Sequence, residues 1–428
     1  MREVSFDRLQ ERYAETRLPN GLRIRVIPKP SFAKTYAFFA ANYGSIDTAF
    51  RWQGRDYRAP DGVAHYLEHK MFDMPEGNVM EQFSALGGSP NAFTGYTMTA
   101  YYVECTEQWQ ENLRLLLRYV STPYFTDETV EKERGIIAQE IRMYEDSADS
   151  RVYENLFQSL CAHHPVRVPI AGTVESIQSI TAQTLRDCYG AFYTPENMML
   201  CVAGPVEPQA VADLAAAVLP ASGGPAGRPD YGAPEAMAGP SRRVEARMEV
   251  SMPTFTAAFP CRPPRDGRDG LRQELLGDLA AELLCGESTA LYQRLYEEGL
   301  IDSSFSIGYE SVKGIAMLTA SGDSRDPDAV TAALVEEAER LAREGASPAL
   351  FQRLLKSAYG RRIRELDSFE NICYRTCQTS FEGAEYLEFP DFFQSFTLEE
   401  AAALLAESVV PDRHVLSVVL PKEGRCAP

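Results

Sequence analysis

The chain has 428 residues, which is longer than one hydrophobic core usually supports, so its length predicts two or three domains. Apolar residues make up 45% of the chain, a share typical of globular proteins and not of disordered or fibrous ones. The formal net charge of −19 argues against nucleic acid and anionic membrane surfaces as partners, because both attract basic proteins.

The cysteines and the N-terminal residues indicate a reducing compartment. Nine cysteines occur without the spacing of a zinc finger or a disulfide framework, and an odd number fits free thiols better than paired ones. Residues 1–21 lack the apolar segment of a secretory signal, and no run reaches the roughly eighteen apolar residues of a membrane span. We therefore expect a cytoplasmic protein with no membrane and no nucleic-acid partner.

The first half of the chain carries both strand and helix signals. Residues 1–16 are polar and predict a helix, and an Asn20-Gly21 turn then precedes an alternating strand. A Pro-Asp-Gly turn predicts the start of another helix, with Asp61 as its N-cap. The remaining patterns predict strands at 35–47, 89–106 and 198–204 and helices at 76–87, 108–120, 127–146, onward to about 160, and 181–192.

The second half begins after residues 220–241, which are dense in Pro, Gly, Ala and Ser and predict a linker. We therefore divide the chain into an N-terminal domain at 1–219, a linker at 220–245 and a C-terminal domain at 246–428. The patterns in the C-terminal domain predict strands at 252–261, 303–321 and 414–420 and helices at 271–298, 327–344, 347–366, 368–380 and 397–407.

The two halves of the chain end alike. Residues 179–206 align without a gap with residues 395–422, and each segment has Ser-x-Thr, a helix, a proline turn and an apolar strand in that order. Few residues are identical, but the shared order and the mid-chain linker predict two copies of one unit. The expected fold class is α+β, in which each of two homologous domains is a mainly antiparallel sheet packed with helices.

The pentapeptide His65-Tyr66-Leu67-Glu68-His69 is a candidate metal site. Its two histidines are four residues apart on one face of a helix, so their rings can converge on one metal ion. Glu68 lies close to that face, within reach of a water molecule on the metal. Histidine is scarce, since two of only five in the chain belong to this motif. The alternative interpretation is a surface helix with two solvated histidines.

A third ligand has to come from elsewhere in the fold, because a catalytic zinc usually takes three protein ligands and keeps one position open. The predicted helix at 127–146 is rich in glutamate. Glu133 and Glu140 are two turns apart on one face of it, so one of them could bind the metal while the other supports it. Either could instead be a solvated helix residue.

The H-x-x-E-H motif followed by residues 133–140 resembles the pitrilysin/insulinase family of zinc peptidases, the inverzincins. Segments 61–64, 91–94 and 164–173 are similar to further landmarks of that family. The length of the chain is similar to that of half-size bacterial members, which have two homologous domains rather than four.

The resemblance implies one zinc ion per chain, held by His65, His69 and Glu140. It also implies that Glu68 is the general base, which takes a proton from zinc-bound water as the water attacks the peptide carbonyl. Glu133 would lie outside the ligand set and orient the ligands. The N-terminal domain would thus be the catalytic one, and the C-terminal domain would hold no metal.

The resemblance further implies a site for an extended peptide. The strand at about 97–104 is similar to the family's edge strand, which pairs with the substrate main chain. Asn91, Ala92 and Tyr101 are therefore candidate substrate-binding residues. Tyr101 could equally be a core residue of an ordinary sheet strand.

One segment of the C-terminal domain departs from the family pattern. The family commonly has an arginine and, seven residues on, a tyrosine that help to bind the substrate and its developing oxyanion. Here Tyr296 and Asp302 stand where the arginine and the tyrosine are expected, with a spacing one residue shorter, while Arg294 and Tyr309 lie nearby out of register. We therefore expect the chain to be the metal-bearing subunit of a dimer with a related subunit that supplies the Arg/Tyr pair. A self-sufficient homodimer is the other option.

The expected function is that of a zinc-dependent endopeptidase that cleaves peptides or unfolded segments in a closed chamber. Two alternatives stay open, namely a non-catalytic scaffold or assembly subunit and a processing protease dedicated to one precursor peptide. The complete set of metal-binding residues argues against the scaffold. The sequence does not separate a dedicated from a general peptidase, because specificity would lie in the shape and charge of the chamber.

Overall fold

The computed structural model describes residues 1–221, 223–237, 239 and 241–422. By their packing, these residues form two compact units. The first unit consists of Met1–Ile141, Pro169–Tyr231 and Ile363–Leu387, and the second of Arg142–Val168, Gly232–Arg362 and the described residues from 388 onward. Within the described ranges, no helix has the length and apolar character needed to cross a membrane.

The strands and helices are numbered in chain order over the described residues. Strands β1 to β12 are Arg2–Phe6, Glu11–Arg17, Arg23–Pro28, Thr35–Ala41, Ala49–Trp52, Arg55–Arg58, Asp73–Met74, Gly77–Asn78, Ser89–Thr94, Thr99–Cys105, Met198–Gly204 and Arg228–Pro229. Strands β13 to β17 are Arg243–Met248, Thr254–Pro260, Ser306–Val312, Ile315–Asp323 and Val415–Pro421. Helices α1 to α7 are Val63–Met71, Val79–Ala85, Trp109–Val120, Asp127–Glu145, Ala148–Leu160, Ala182–Phe192 and Pro208–Val218. Helices α8 to α14 are Arg268–Cys285, Ala290–Glu297, Pro327–Glu344, Pro348–Glu365, Phe369–Glu382, Phe389–Ser395 and Leu398–Ser408.

The first unit is built on a seven-stranded sheet with the order β1-β2-β3-β11-β4-β10-β9. β3 and β11 run parallel, and the other neighbouring strands run antiparallel. All residues of β4 and β11 are buried, because helices cover both faces of this part of the sheet. α3 packs against β4 and β10, and α12 packs against β4 and β11.

The second unit is built on a five-stranded sheet with the order β13-β17-β14-β16-β15. β13 and β17 run parallel, and the other pairs run antiparallel. α5 packs against β13, β14 and β17, and α8 packs against β15 and β16.

The second sheet repeats five strands of the first. In spatial order and direction, β3-β11-β4-β10-β9 corresponds to β13-β17-β14-β16-β15. The helix before the last strand of each copy begins at a threonine capping box, Thr181 for α6 and Thr397 for α14. The predicted α+β fold with an internal repeat is therefore confirmed. The copies differ at one side, where β2 and β1 extend the first sheet beyond β3.

Each unit contains a helix from the other half of the sequence. α5 lies before the mid-chain linker but packs on the second sheet, and α12 lies near the C-terminus but packs on the first. Strands that are buried on both faces need a second helical layer, and these two helices provide it. The units therefore differ from the contiguous ranges 1–219 and 246–428, because a boundary along the sequence cannot assign a helix to a sheet of distant strands. Part of the predicted linker at 220–245 is ordered as β12, which pairs with β5.

Two local predictions were wrong. Residues 1–16 form β1 and β2 rather than a helix, and Glu15 of β2 pairs with an arginine on each neighbouring strand, Arg2 and Arg25. The single helix predicted at 271–298 is two helices, because α8 stops at its C-cap Gly286 and the side chain of Thr289 caps the start of α9.

Candidate metal centre

The helix that carries the H-x-x-E-H motif is α1, and two glycines fix where it begins. Gly62 is its N-cap, one residue after the predicted Asp61, and has a φ of +87°. A Cβ atom at Gly62 would lie 2.4 Å from the carbonyl oxygen of Ala171, and one at Gly172, whose φ is +73°, would lie 2.6 Å from that of Asp61. The two backbone segments therefore approach each other more closely than any side chain allows. This contact holds the start of α1 against the loop at 171–173.

Two side chains of α1 attach it to the start of α4. The hydroxyl of Tyr66 donates to the carbonyl oxygen of Val130. The ammonium group of Lys70, which is fully buried, donates to the carbonyl oxygen of Thr129 at 3.2 Å and to the carboxylate of Asp73. These contacts set the position of α4 along α1, and α4 carries both glutamates of the candidate site.

The structure brings His65, His69 and Glu140 together as one group whose donor atoms all lie within 4.8 Å of one another. His65 Nε2 lies 3.4 Å from Glu140 Oε1, and His69 Nε2 lies 3.3 Å from Glu140 Oε2. A tetrahedral zinc site with bonds of about 2.0–2.2 Å places its donor atoms about 3.3–3.6 Å apart. Two imidazole nitrogens and a carboxylate are also the donor set that zinc prefers, so these residues fit a zinc ion.

Glu133 lies beside the group and holds His69. Its Oε1 atom is 3.0 Å from His69 Nδ1, which leaves Nε2 of the same ring directed at Glu140. A carboxylate in this position fixes the tautomer and the orientation of a metal-binding histidine. His65 differs, because its Nδ1 atom is buried and has no hydrogen-bond partner among the described residues.

The site favours a positive charge at the imidazole of His69. Burial alone would lower the pKa of His69, but its hydrogen bonds to Glu133 and Glu140 raise that pKa to about 10. Burial would likewise raise the pKa of Glu133, yet the hydrogen bond to His69 holds it below its ordinary value. The carboxylates of Glu133 and Glu140 would also stabilise a divalent cation bound by the two imidazoles.

Glu68 lies in the same helix and contacts Thr94 of β9. The hydroxyl of Thr94 donates to Glu68 Oε2 at 2.6 Å, and the Glu68 residue is only 8% exposed. Burial raises the pKa of this carboxyl, while the neighbouring His65 and the hydrogen bond from Thr94 oppose that rise. Sequence reasoning missed the role of Thr94, because the contact depends on how β9 lies against α1.

The three candidate substrate-binding residues lie in different surroundings in the structure, two on an edge strand and one in the core. Asn91 is exposed and Ala92 half-buried, and both lie in β9, the edge strand of the seven-stranded sheet. The edge assigned to 97–104 was wrong, because β10 pairs with β4 on one side and with β9 on the other. Tyr101 is fully buried and its hydroxyl is 2.8 Å from that of Tyr193, so this side chain belongs to the core.

The segment that departs from the family pattern lies in the second unit. The Tyr296 residue is 53% exposed on α9 and its ring stacks on Tyr292. Arg294 has a side chain that is 53% exposed and lies 4.0 Å from Glu298. Tyr309 is buried and its hydroxyl accepts a hydrogen bond from Gln273, so it cannot replace a substrate-binding tyrosine.

Comparison with known proteins assigns the chain to one family. The family model of the insulinases, peptidase family M16, matches residues 55–174, and that of the M16 inactive domain matches residues 179–357. The chain belongs to this family, to which the sequence motifs had pointed. The matches agree with the structure, since His65, His69 and Glu140 all lie within the first range.

Individual relatives support the assignment over the whole chain. A protein of Bacillus subtilis (strain 168), described as the uncharacterized zinc protease YmfH, is 35% identical over 437 aligned positions, which cover 99% of this chain and 100% of the relative. A crystal structure of an M16-like peptidase from Alicyclobacillus acidocaldarius has 34% identity and a TM-score of 0.93, with 98% of this chain and 100% of that chain covered. Pitrilysin, at 17% identity and a TM-score of 0.79, shares the fold, and the match covers 99% of this chain but 46% of pitrilysin. The protein is therefore a half-size member of a family of zinc proteases.

Proposed function

We propose that the protein is a zinc-dependent endopeptidase. The observation that carries the proposal is the convergence of His65, His69 and Glu140, because each imidazole Nε2 atom lies 3.3–3.4 Å from an oxygen of Glu140 and the donor atoms of all three lie within 4.8 Å of one another. The description of the Bacillus subtilis relative as a zinc protease supports it.

Each residue of the site has a defined task in this proposal. His65 and His69 would bind zinc through their Nε2 atoms, Glu140 would bind it through its carboxylate, and Glu133 would hold the ring of His69. Zinc, when bound, acts as a Lewis acid that polarises the peptide carbonyl and makes water more acidic. Glu68 accepts the proton of the attacking water and returns it to the leaving nitrogen. Because Thr94 holds Oε2 of Glu68, the proton is accepted at Oε1.

The substrate is proposed to be an extended peptide that pairs with β9. This strand is the edge of its sheet, and its last residue, Thr94, contacts Glu68. A peptide that adds to this edge therefore passes beside the general base. Pairing of this kind recognises the main chain, which implies a loose sequence preference, with Asn91 and Ala92 contributing to the binding strand. The charge of −19 favours basic peptides.

We also propose that a related family subunit supplies the Arg/Tyr pair. In this chain Tyr296 and Asp302 stand at those positions, Arg294 contacts Glu298 and Tyr309 is buried. The activity of the isolated chain tests this part of the proposal. A processing protease dedicated to one precursor would have the same metal site as a general endopeptidase and would differ from it only in the range of its substrates. Location in the cytoplasm stays a prediction.

The test is hydrolysis of a quenched, basic, extended peptide by the purified chain loaded with zinc. Glu68→Gln serves as the matched variant, because it removes the base without changing the size of the side chain. We expect both proteins to bind one zinc ion, measured by mass spectrometry of metals, and the variant to lose about 10²–10⁴-fold in kcat. If the wild-type chain is active, a Glu68→Gln variant with the same turnover would refute the proposal, and so would a chain that binds no zinc. Bound zinc without any turnover would point to the missing partner subunit, which co-purification would then identify.

A further inference from the structure

The two strands that extend the first sheet bring four arginines together. In the register of β1, β2 and β3, Arg2 and Arg25 each lie directly opposite Glu15. Two residues further along β2, Arg17 lies directly opposite Arg23. Side chains two residues apart on a strand, and side chains opposite each other on neighbouring strands, point to the same side of a sheet. The four arginines therefore share one face with Glu15.

A cleft of about 510 Å³ lies at these arginines, and we call it the arginine cleft. Half of the eight residues that line it are the four arginines, and Glu15 is the single carboxylate among the eight. All of the lining residues belong to the first unit. The arginine cleft thus carries a local excess of positive charge in a chain whose net charge is −19.

Two of the four arginines have carboxylate partners within the chain. The carboxylate of Glu15 contacts both Arg2 and Arg25. Arg25 also lies 2.8 Å from the carboxylate of Glu385. The charges of these two arginines are therefore balanced in part, and each guanidinium group still has N–H donors beyond those that its carboxylate partners can use.

Arg17 and Arg23 are less well balanced. Arg17 lies 3.8 Å from Glu196, and both of these side chains are more than half exposed, so the pair contributes little. Arg23 forms no ion pair with a carboxylate among the described residues. Its guanidinium group donates to the carbonyl oxygen of Ser380 at 3.1 Å and lies over the ring of Phe381. Arg23 thus has a neutral acceptor and an aromatic ring as neighbours, but no counter-ion.

The surroundings of Arg23 also disfavour its positive charge. Burial lowers the pKa of Arg23, and the nearby charges of Arg25 and Arg17 lower it further. Like charges directly opposite each other on neighbouring strands are destabilising. A guanidinium group nevertheless stays protonated at neutral pH, so the repulsion persists in the free protein. An anion that enters the arginine cleft would relieve it.

The properties of the arginine cleft favour phosphate as that anion. A phosphate group carries up to two negative charges and offers several oxygen atoms, so that neighbouring guanidinium groups can each donate two parallel hydrogen bonds to it. A volume of about 510 Å³ is within the range of sites for small molecules. A long polyanion such as nucleic acid is disfavoured, because the net charge of −19 would repel the part that lies outside the cleft.

We propose that the arginine cleft binds the phosphate group of a small molecule, with Arg17 and Arg23 as its main partners and with Arg2 and Arg25 beside them. A bound phosphate would connect β2 and β3 through these side chains, and Arg23 would connect it to the end of α12 at Ser380. Binding should therefore stabilise the first unit against unfolding. This inference does not depend on the proposed peptidase activity, since it concerns no residue of the metal centre.

The test is the affinity of the full chain for inorganic triphosphate, measured by isothermal titration calorimetry at constant ionic strength. We expect one triphosphate ion to bind per chain, orthophosphate to compete with it, and the melting temperature to rise with its concentration. Adenosine triphosphate is titrated in parallel. Tighter binding of the nucleotide would identify an organic phosphate as the ligand, and tighter binding of triphosphate an inorganic one, and either result supports the proposal. The zinc content is measured before and after, because triphosphate also binds metal ions.

Variants of the arginines locate the bound anion. Arg17→Gln, at an exposed position, should weaken binding at least about tenfold, because it removes hydrogen bonds to a charged group. Arg17→Lys keeps the charge but not the two parallel donors, so it should weaken binding less. Arg23→Gln should weaken binding as much as Arg17→Gln, with its fold checked by circular dichroism because Arg23 also contacts α12.

Arg12→Gln is the matched control. Arg12 is an exposed arginine of the same strand, β2, and does not line the arginine cleft. It should leave the affinity for triphosphate unchanged. A wild-type chain that shows no saturable binding of triphosphate would overturn the proposal. So would an Arg17→Gln variant that binds as tightly as wild type, which would place the anion elsewhere, or an equal loss of affinity in Arg12→Gln and Arg17→Gln.

Discussion

The hydroxyl of Thr94 shows how one residue outside the sequence motif can govern the chemistry within it. It donates to Glu68 at 2.6 Å in a place where that carboxylate is almost completely buried. A hydrogen bond to a buried carboxylate fixes its orientation and stabilises its charged form. In the proposed mechanism, Thr94 is therefore a positioning residue that acts through Glu68.

Replacing Thr94 by valine should lower kcat about tenfold, since valine keeps the shape but removes a hydrogen bond to a charged group worth about 1.5–3 kcal/mol. Steady-state kinetics on the quenched peptide would measure it. The zinc content should stay at one per chain, and Thr94→Ser, which keeps the hydroxyl, should retain most of the activity. A serine variant as slow as the valine variant would show that the methyl group, and not the hydrogen bond, is what matters.

The grouping of residues in the candidate metal centre could be predicted from the sequence where a helix period sets their relation. The spacing of His65 and His69 and of Glu133 and Glu140 fixes each pair on one helix face, and the fold brings the two faces together. Tyr101 was misplaced because a strand alternates in the same way whether a given face meets the core or a substrate. Which face it meets depends on the strands and helices that pack against it, and these are distant in sequence.

At the scale of elements, the candidate site depends on the contact of α1 with α4. Lys70 is fully buried between them, where its ammonium group bonds to Thr129 and Asp73. A buried lysine that bonds to the main chain of the neighbouring helix restricts where that helix can lie, because a shift would leave the ammonium group without its partner. It therefore contributes to the place of Glu140 without touching it.

Lys70→Met should lower the free energy of unfolding by about 1–3 kcal/mol, because it leaves the partners of the ammonium group without a donor. It should also reduce the rise in melting temperature that zinc produces, since Glu140 is then less well placed to bind the metal. Thermal unfolding with and without zinc measures both effects. Lys132→Met, at an exposed position of α4, is the matched control and should change neither. An unchanged zinc-dependent rise in the Lys70 variant would limit the role of Lys70 to stability.

The elements themselves could be predicted where local signals mark their ends. The helices that begin at the two threonine capping boxes, α6 and α14, lie within one residue of the predicted ranges. The N-terminal hairpin could not be predicted in this way, because its polar residues are stabilised by charges on neighbouring strands, such as Glu15 with Arg25. Such pairs join residues on different strands, so the spacing of residues along one segment does not reveal them.

At the scale of the whole molecule, stability should depend on pH through Glu235. This carboxylate accepts hydrogen bonds from three consecutive backbone amides, those of Ala162, His163 and His164, at 2.6–3.0 Å. Burial alone would raise the pKa of Glu235, but these hydrogen bonds hold it below its ordinary value. They tie the predicted linker, at Glu235, to the loop after α5.

Glu235→Gln should therefore destabilise the protein at neutral pH by about 1–3 kcal/mol. A lowered pKa in the folded state adds stability that is complete above the unfolded pKa of about 4.3 and is lost as the pH falls below it. The difference between wild type and variant should thus be constant above about pH 5 and shrink at lower pH. Urea unfolding at several pH values measures this, with Glu339→Gln as an exposed control. A difference that grows as the pH falls would contradict the assignment.

The internal repeat could be predicted from the matching ends of the two halves, but the exchange of helices could not. The amphipathic pattern of α5 or of α12 shows which face of the helix is buried, but it does not show which of the two sheets that face covers. Their placement follows from β4, β11 and their counterparts, which are buried strands that need a layer on each face. No signal within a helix states which strands it will meet.

The exchanged helices also set the order in which the protein can be completed on the ribosome. The first sheet lacks its layer over β11 until α12, at residues 369–382, has been translated. α5 emerges before any strand of the sheet that it covers, so its buried residues Val152, Leu156 and Phe157 cannot meet that sheet until β13, β14 and β17 are made. Neither half of the sequence therefore contains a complete folding unit, and the apolar face of α5 stays without its sheet until the second half has been translated, an exposure that favours non-native contacts in the nascent chain.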